Sequence, residues 1–213
     1  CTLYLPGTAP LRIAHGVPGR NRTGFYRSQA DAAIAAEILS VREHTLVSAH
    51  THVQIDRHVA VEDDSYSGLA ADPHAGADHY LHGRQPHRHW HVINPGSVGL
   101  PLDERPLAQF AVLESVAQTT VRGGWQVTHC AVNYDRRPAL AAYASTGMLQ
   151  AGGVMSQLFY WELVTAEPEI IRFYRWAGGN GLDPDRGSIR RIFEQYVDAT
   201  GRDHYVRERD PLR

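Results

Sequence analysis

Two short apolar segments, each ending at a histidine, restrict most strongly how this chain can fold. The segment Leu11–Ala14 runs into His15, and the segment 45–49 runs into His50. Between them, 29–40 places apolar side chains at helical spacing. This order predicts a β-loop-α-β unit whose two strands end at one edge of a sheet, where the sites of α/β proteins usually occur.

The rest of the chain predicts further strands and then helices. Strand-like segments lie at 90–93, 109–113 and Trp125–Val132. The last two are expected to pair antiparallel, because a short connection containing two glycines joins them. Helix-like segments lie at 138–145, 154–164, 170–176 and 188–199, before a charged tail. We therefore predict an α/β fold with one domain at 1–136 and a mostly helical extension at 137–213.

Composition excludes several classes of function. The net charge is -2 and the pI is about 6.7, so no basic surface indicates a nucleic-acid partner. No apolar run is long enough for a membrane span, and the first residues do not form a signal peptide. Two cysteines are too few for a disulfide scaffold. We expect a soluble, cytoplasmic protein.

The segment 56–91 holds more than half of the 13 histidines, with many Asp, Gly and Pro residues. It is typical of a long polar insertion, and such loops are usually functional or mobile. The histidines at 74, 79, 82, 87, 89 and 91 could bind a metal, but their spacing follows no zinc pattern, which favours a solvated loop. His87, His89 and His91 alternate, so on a strand they would share one face and could contact a metal or substrate.

Three histidines form the main candidate site. His15, His50 and His52 each follow an apolar segment beside small residues. Neutral imidazoles bind Zn, Mn or Fe, and two histidines separated by one residue can face two neighbouring ions. Histidines after strands are also often packed or solvated, so spacing alone leaves both interpretations open.

Four short motifs occur in a fixed order: HGVP at 15–18, AHTH at 49–52, NPGSVG at 94–99 and QFAVL at 109–113. In this order they resemble the back half of bacterial calcineurin-like metallophosphoesterases, over about residues 3–136. The resemblance implies the C-terminal part of a double-sheet sandwich flanked by helices.

The resemblance also implies a metal centre and a reaction. His15 and His50 would bind one divalent ion and His52 the other, with Mn, Fe or Zn as the metals. The implied activity is hydrolysis of phosphate mono- or diesters, by in-line attack of a metal-bridging hydroxide on phosphorus. Phosphate-ester small molecules or nucleotides are the implied substrates.

The chain departs from the family pattern in three ways. Ala49 replaces a glycine, and the span from His52 to Asn94 is longer than in the family. The third departure is larger, because the family's Asp-x-His, Gly-Asp-x-x-Asp and Gly-Asn-His motifs are absent upstream of His15. These motifs supply the bridging carboxylate and the acid-base residues, so no catalytic residue is assigned. We expect this chain alone to be a poor enzyme, with a preceding N-terminal segment as one source of the missing motifs. A sheet without its first strands would expose an apolar edge, so we also expect a partner, a second copy or a rearranged fold to cover it.

Two loop residues after His15 are candidate substrate contacts. Arg20 could bind a phosphate through two hydrogen bonds, and Tyr26 lies in the same loop. The alternative is a solvated arginine and a half-buried tyrosine. Asp103 and Arg105 are interpreted as turn and surface residues.

Three hypotheses on function follow. The first is a two-metal phosphoesterase that uses His15, His50 and His52. The second is a non-catalytic metallophosphoesterase-like module with a regulatory or binding role. The third is a histidine-rich metal-binding protein whose ions bind 74–91.

Overall fold

The computed structural model describes residues 1–61 and 88–213, which form a mixed α/β fold. The strands are β1 Thr2–Leu3, β2 Leu11–Ala14, β3 Thr45–Ser48, β4 Ile55–Val61, β5 Arg88–Asn94, β6 Ala108–Ser115 and β7 Trp125–Val132. The helices are α1 Asp31–Ile38, α2 Arg137–Ser145, α3 Met148–Ala151, α4 Gly153–Thr165, α5 Glu169–Gly179, α6 Ile189–Thr200 and α7 Arg202–Arg207. The predicted α/β class, with sheets, flanking helices and a helical C-terminal part, is confirmed.

Within the described ranges, the strands form a five-stranded sheet in the order β1-β2-β3-β5-β4 and a two-stranded sheet of β6 and β7. β2, β3 and β5 run parallel, while β1 and β4 are antiparallel to their neighbours. The sequence predicted an exposed sheet edge. In the structure β1 pairs with β2 through Thr2 and Leu3 and covers part of the edge of β2.

The five-stranded sheet buries one face against α1. Alternate residues of β4 and β5 point to this face, and they pack with α1 in one apolar cluster. Its fully buried members include Ile34, Ile38, Leu46, Val59 and Trp90. The Trp90 indole Nε1 donates a hydrogen bond to the Val41 carbonyl oxygen at 3.0 Å, so its one polar group is satisfied.

The chain divides into two compact units. The first comprises Cys1–His50, Ile55–Asn94 and Leu113–Val127, and the second comprises Thr51–Gln54, Pro95–Val112 and Thr128–Arg213. In the second unit the helices surround an apolar core that includes Leu158, Trp161 and Phe173. Trp161 of α4 and Phe173 of α5 therefore serve core packing, whereas Phe159 of α4 is 38% exposed. The predicted domain boundary at 136 stays a prediction.

Two segments differ from the sequence-based expectation. The ends of the predicted polar insertion 56–91 are strands, because β4 and β5 pair from Ile55 with Asn94 to Val61 with Arg88. The alternation in β4 is hard to read from the sequence, because the residues between Ile55 and Val59 are all polar. The insertion's remaining residues, 62–87, lie outside the described residues. The charged tail also differs, since it contains α7.

No helix within 1–61 and 88–213 is both long enough and apolar enough to cross a membrane.

Glu162 of α4 is a buried carboxyl whose charge destabilises the second unit. The residue is 3% exposed, and its Oε1 accepts a hydrogen bond from Ile170 N at 3.1 Å. Burial, aided by the Glu169 charge and opposed by the Ile170 hydrogen bond, raises the pKa of Glu162 to about 7. Because the folded state holds this proton more tightly, the free energy of unfolding falls as pH rises from the ordinary value of 4.5 to about 7.

Glu162→Gln is expected to raise the free energy of unfolding at pH 8 by about 2 kcal/mol, with little change at pH 5. Gln keeps the acceptor for Ile170 N and removes the charge. Urea unfolding at both pH values measures the difference. Glu194→Gln, on the exposed face of α6, is the matched control and should change neither value. An equal gain at both pH values for Glu162→Gln would contradict this account.

Candidate metal centre

His15 and His50 meet at the carboxyl edge of the five-stranded sheet. Ala14 of β2 pairs with Ser48 of β3 in parallel register, and one residue further on Ala49 N donates to the His15 carbonyl at 2.9 Å. This register brings the imidazoles together, with His15 Nε2 3.2 Å from His50 Nδ1. The rings meet edge to face, with centroids 5.2 Å apart. Both side chains are accessible to solvent.

The backbone after β3 is strained at the two histidines of the AHTH motif. His50 has a φ of 71° and His52 a φ of 58°, in the left-handed region that residues other than glycine seldom occupy. Such strain costs on the order of 1 kcal/mol or more per residue and is concentrated at functional sites. Ala49 is not in the left-handed region, so an alanine fits at this position of the turn.

Asn94 holds the loop from the neighbouring strand. Its buried side-chain amide donates from Nδ2 to the Ala49 carbonyl oxygen at 3.1 Å. This hydrogen bond links β5 to the residue directly before His50. The first residue of the NPGSVG motif therefore fixes the loop that carries the histidine.

His52 belongs to the second unit and is fixed by a backbone carbonyl. Its Nδ1 lies 2.7 Å from Leu100 O, and its own carbonyl accepts a hydrogen bond from Leu102 N at 3.2 Å. A ring held this way as an Nδ1–H donor presents the Nε2 lone pair. Metal-ligating histidines commonly show this arrangement, because the second hydrogen bond fixes both tautomer and orientation.

A polar network supports the turn that contains Leu100. The side-chain amide of Gln54 donates from Nε2 to the carbonyls of Phe110 at 3.3 Å and Cys130 at 2.9 Å. Gln109 Nε2 donates to Asp103 Oδ1 at 2.8 Å. The Asp103 side chain is only 5% exposed and also pairs with Arg105. Asp103 therefore stabilises this turn, in keeping with its interpretation as a turn residue.

The two predicted substrate contacts lie on the loop after His15. The guanidinium of Arg20 pairs with Glu37 of α1. Tyr26 is 53% exposed, more than the half-buried alternative predicted. Their role in substrate binding stays a prediction.

Sequence analysis missed two possible ligands that the structure groups with a third. Asp56 and His58 on β4 lie beside His91 on β5, and their ligand atoms are all within 4.8 Å of one another. In the part of the chain that the structure describes, this is the one group of three or more potential ligand side chains at that separation. The alternation of His89 and His91 was visible in the sequence, but the pairing of β4 with β5 was not.

Comparison with known proteins leaves the family open. No model of a known protein family matches the chain, and no curated protein matches it significantly. Among solved structures, the chain is similar to hypothetical protein PH1004 from Pyrococcus horikoshii OT3, with 18% identity, a TM-score of 0.43, and coverage of 65% of this chain and 42% of that one. It is also similar to a metallophosphoesterase from Sphaerobacter thermophilus, with 17% identity, a TM-score of 0.45, and coverage of 76% and 57%. The chain thus spans less than two thirds of either protein, and at these scores the likeness assigns no activity or residue role.

Proposed function

We propose that this chain is part of a metal-dependent hydrolase of phosphate mono- or diesters. His15 and His50 hold one divalent ion, and His52 contributes to a second. Small-molecule phosphate esters or nucleotides are the proposed substrates. The observation that carries the proposal is the 3.2 Å separation between His15 Nε2 and His50 Nδ1.

That separation fits shared coordination. Two imidazole nitrogens that bind one tetrahedral ion at about 2.0 to 2.1 Å lie about 3.3 Å apart. The facing atoms of His15 and His50 are both ring nitrogens, and both rings are accessible from solvent. A hydrogen bond between two neutral imidazoles has a similar length, so metal binding has to be measured to separate the two.

The surrounding residues orient the ligands. The Asn94 amide fixes Ala49 and hence the turn at His50, while the Leu100 carbonyl fixes the His52 ring. When bound, a pair of divalent ions would lower the pKa of a water molecule and stabilise charge on the phosphoryl oxygens. The chain's own contribution is to hold the His52 ring through its hydrogen bond to Leu100 O, so less ordering of that ring remains to be done when an ion binds.

One observation favours a second candidate, a module that binds an ion without turnover. Across residues 1–61 and 88–213, no carboxylate joins His15 and His50 in a group of three close ligands. Two dications held 3.5 to 4 Å apart, roughly the spacing of two-metal sites, need negative charge between them. On the first proposal, a preceding segment or a second copy of the chain supplies those carboxylates.

The test combines metal content with turnover. The purified chain is loaded with Mn²⁺, analysed for bound metal, and assayed with an aryl phosphate monoester and diester. His15→Ala and His50→Ala are each expected to weaken ion binding at least about 100-fold and to abolish turnover, because each removes a direct ligand. His204→Ala, an exposed histidine of α7, is the control and should leave both readouts unchanged.

The outcomes separate the candidates. Metal-dependent turnover that is lost in both variants supports the hydrolase. Metal binding that depends on His15 and His50 without turnover shows that the chain alone holds an ion but lacks the catalytic carboxylates, as both the second candidate and a hydrolase completed by another segment require. Unchanged metal binding in both variants would refute a metal role for this histidine pair and leave it as a hydrogen-bonded pair.

A further inference from the structure

A second group of potential ligands lies on the sheet face opposite α1. His58 of β4 is directly opposite His91 of β5, and Asp56 stands two residues before His58 on the same face. The alternating residues Val59, Trp90 and Val92 point the other way, into the core with α1. Strand geometry alone therefore places the two imidazoles and the carboxylate side by side.

The side chains of this group converge. His91 Nε2 lies 2.6 Å from Asp56 Oδ1, and the His58 and His91 rings stack with centroids 4.2 Å apart and an interplanar angle of 19°. The potential ligand atoms of all three lie within 4.8 Å of one another. His91 is 2% exposed, whereas Asp56 and His58 are exposed. One ligand is thus fixed, and two can rotate by the small amount that coordination requires.

His89 supports His58 from the next position on the same face. His58 Nδ1 lies 3.2 Å from His89 Nε2, and their rings stack with centroids 5.1 Å apart. If this contact occupies Nδ1 of His58, Nε2 remains for an ion. A partner on the second ring nitrogen is the usual support of a metal-bound histidine.

We infer that Asp56, His58 and His91 form a binding site for a zinc-class divalent ion. Two imidazoles with one carboxylate suit Zn²⁺ and its transition-metal neighbours, whereas Ca²⁺ and Mg²⁺ prefer oxygen ligands. Three protein ligands leave a fourth position for water. The ion would link the edge strand β4 to β5.

A hydrogen bond between Asp56 and His91 does not explain the whole group. That bond involves only His91 Nε2 and Asp56 Oδ1, and it gives no role to the His58 ring that stacks on His91.

This site is separate from the His15 and His50 pair. His91 is level with Thr45 at the start of β3, whereas His50 follows the end of that strand. At about 3.3 Å per residue, that places His91 about 10 Å along the sheet from the carboxyl edge. The inference therefore stands or falls independently of the proposed hydrolase.

Cobalt titration of the chelator-treated full chain tests the site, because Co²⁺ bound by histidine and carboxylate gives a visible absorption band. His58→Ala and Asp56→Asn are each expected to weaken Co²⁺ and Zn²⁺ binding at this site at least about 100-fold. Both changes are at exposed positions, which protects the fold. A double variant with His15→Ala and His50→Ala should keep this band. Loss of turnover in that variant would therefore leave the inference about the Asp56, His58 and His91 site unchanged.

The histidines at 74, 79, 82 and 87 are the necessary control, because the sequence also allowed an ion there. A variant with all four changed to glutamine is expected to keep the band that His58→Ala removes. The inference is overturned if His58→Ala and Asp56→Asn both bind Co²⁺ and Zn²⁺ as the unmodified chain does. It is equally overturned if the four-glutamine variant alone loses binding.

Discussion

Arg202→Ala is expected to lower the free energy of unfolding by about 3 to 5 kcal/mol, because it leaves two buried carboxylates without their main counter-charge. Arg202 Nη2 lies 2.6 Å from Glu167 Oε2 and 2.6 Å from Glu169 Oε1. A third bond joins Arg202 Nε to Glu169 Oε2 at 3.0 Å. Glu169 is 0% exposed and Glu167 is 7% exposed.

Neighbouring groups bind the same carboxylates but do not replace the arginine. Burial alone lowers the pKa of Arg202, and the hydrogen bonds and charges of Glu169 and Glu167 more than offset this and raise it. Thr165 and Tyr205 donate neutral hydrogen bonds, to Glu169 at 2.9 Å and to Glu167 at 2.5 Å. Arg172 also pairs with Glu167, but its side chain is 44% exposed. One partly screened cation then remains for two buried charges.

Urea unfolding at pH 7 measures the loss, and two further variants identify its cause. Arg190→Ala removes an arginine whose side chain is 85% exposed and should stay close to the unmodified chain. Adding Glu169→Gln to Arg202→Ala removes one uncompensated charge and should recover part of the stability. If the double variant is no more stable than Arg202→Ala, lost packing and not the unpaired charge is the cause.

Local sequence patterns predicted the elements that position the histidines. Leu11–Ala14 and Trp125–Val132 have the predicted bounds, and β3 ends one residue before the predicted end. These segments are apolar and bounded by turn residues, so pattern and structure agree. The parallel register that brings His15 to His50 follows from the β-loop-α-β order.

Other features depend on contacts between residues far apart in sequence, which local patterns do not contain. His50 has a left-handed backbone, and the residue before it, Ala49, accepts a hydrogen bond from Asn94. The group of Asp56, His58 and His91 depends on the register of β4 against β5 across the segment 62–87. Histidine-rich strands also lack the apolar alternation that reveals a strand. Both candidate metal groups thus combine predictable strands with contacts that only the fold reveals.

Gly96→Ala is expected to lower the free energy of unfolding by about 3 kcal/mol, through backbone strain and overpacking. Gly96 has a φ of 86°, which alanine seldom adopts. A methyl group there would lie 2.3 Å from Gln109 Oε1, 2.7 Å from Gln109 Cβ and 2.8 Å from Gln54 Cγ. Those two side chains hold Asp103 and the carbonyls of the adjoining hairpin, so neither can move without breaking buried hydrogen bonds.

Gly99→Ala in the same turn separates this requirement from a general intolerance of alanine. A methyl group at Gly99 meets no atom within 4 Å, so this variant should unfold like the unmodified chain or be slightly more stable. Thermal and urea unfolding of both variants give the comparison. Equal effects at the two glycines would show that Gln54 and Gln109 adapt, and the first glycine of NPGSVG would then be dispensable for stability. A loss of stability confined to Gly96→Ala would mean that glycine at this position allows the turn to pack against the buried amides of Gln54 and Gln109. The same turn carries Leu100, whose carbonyl oxygen is the partner of His52.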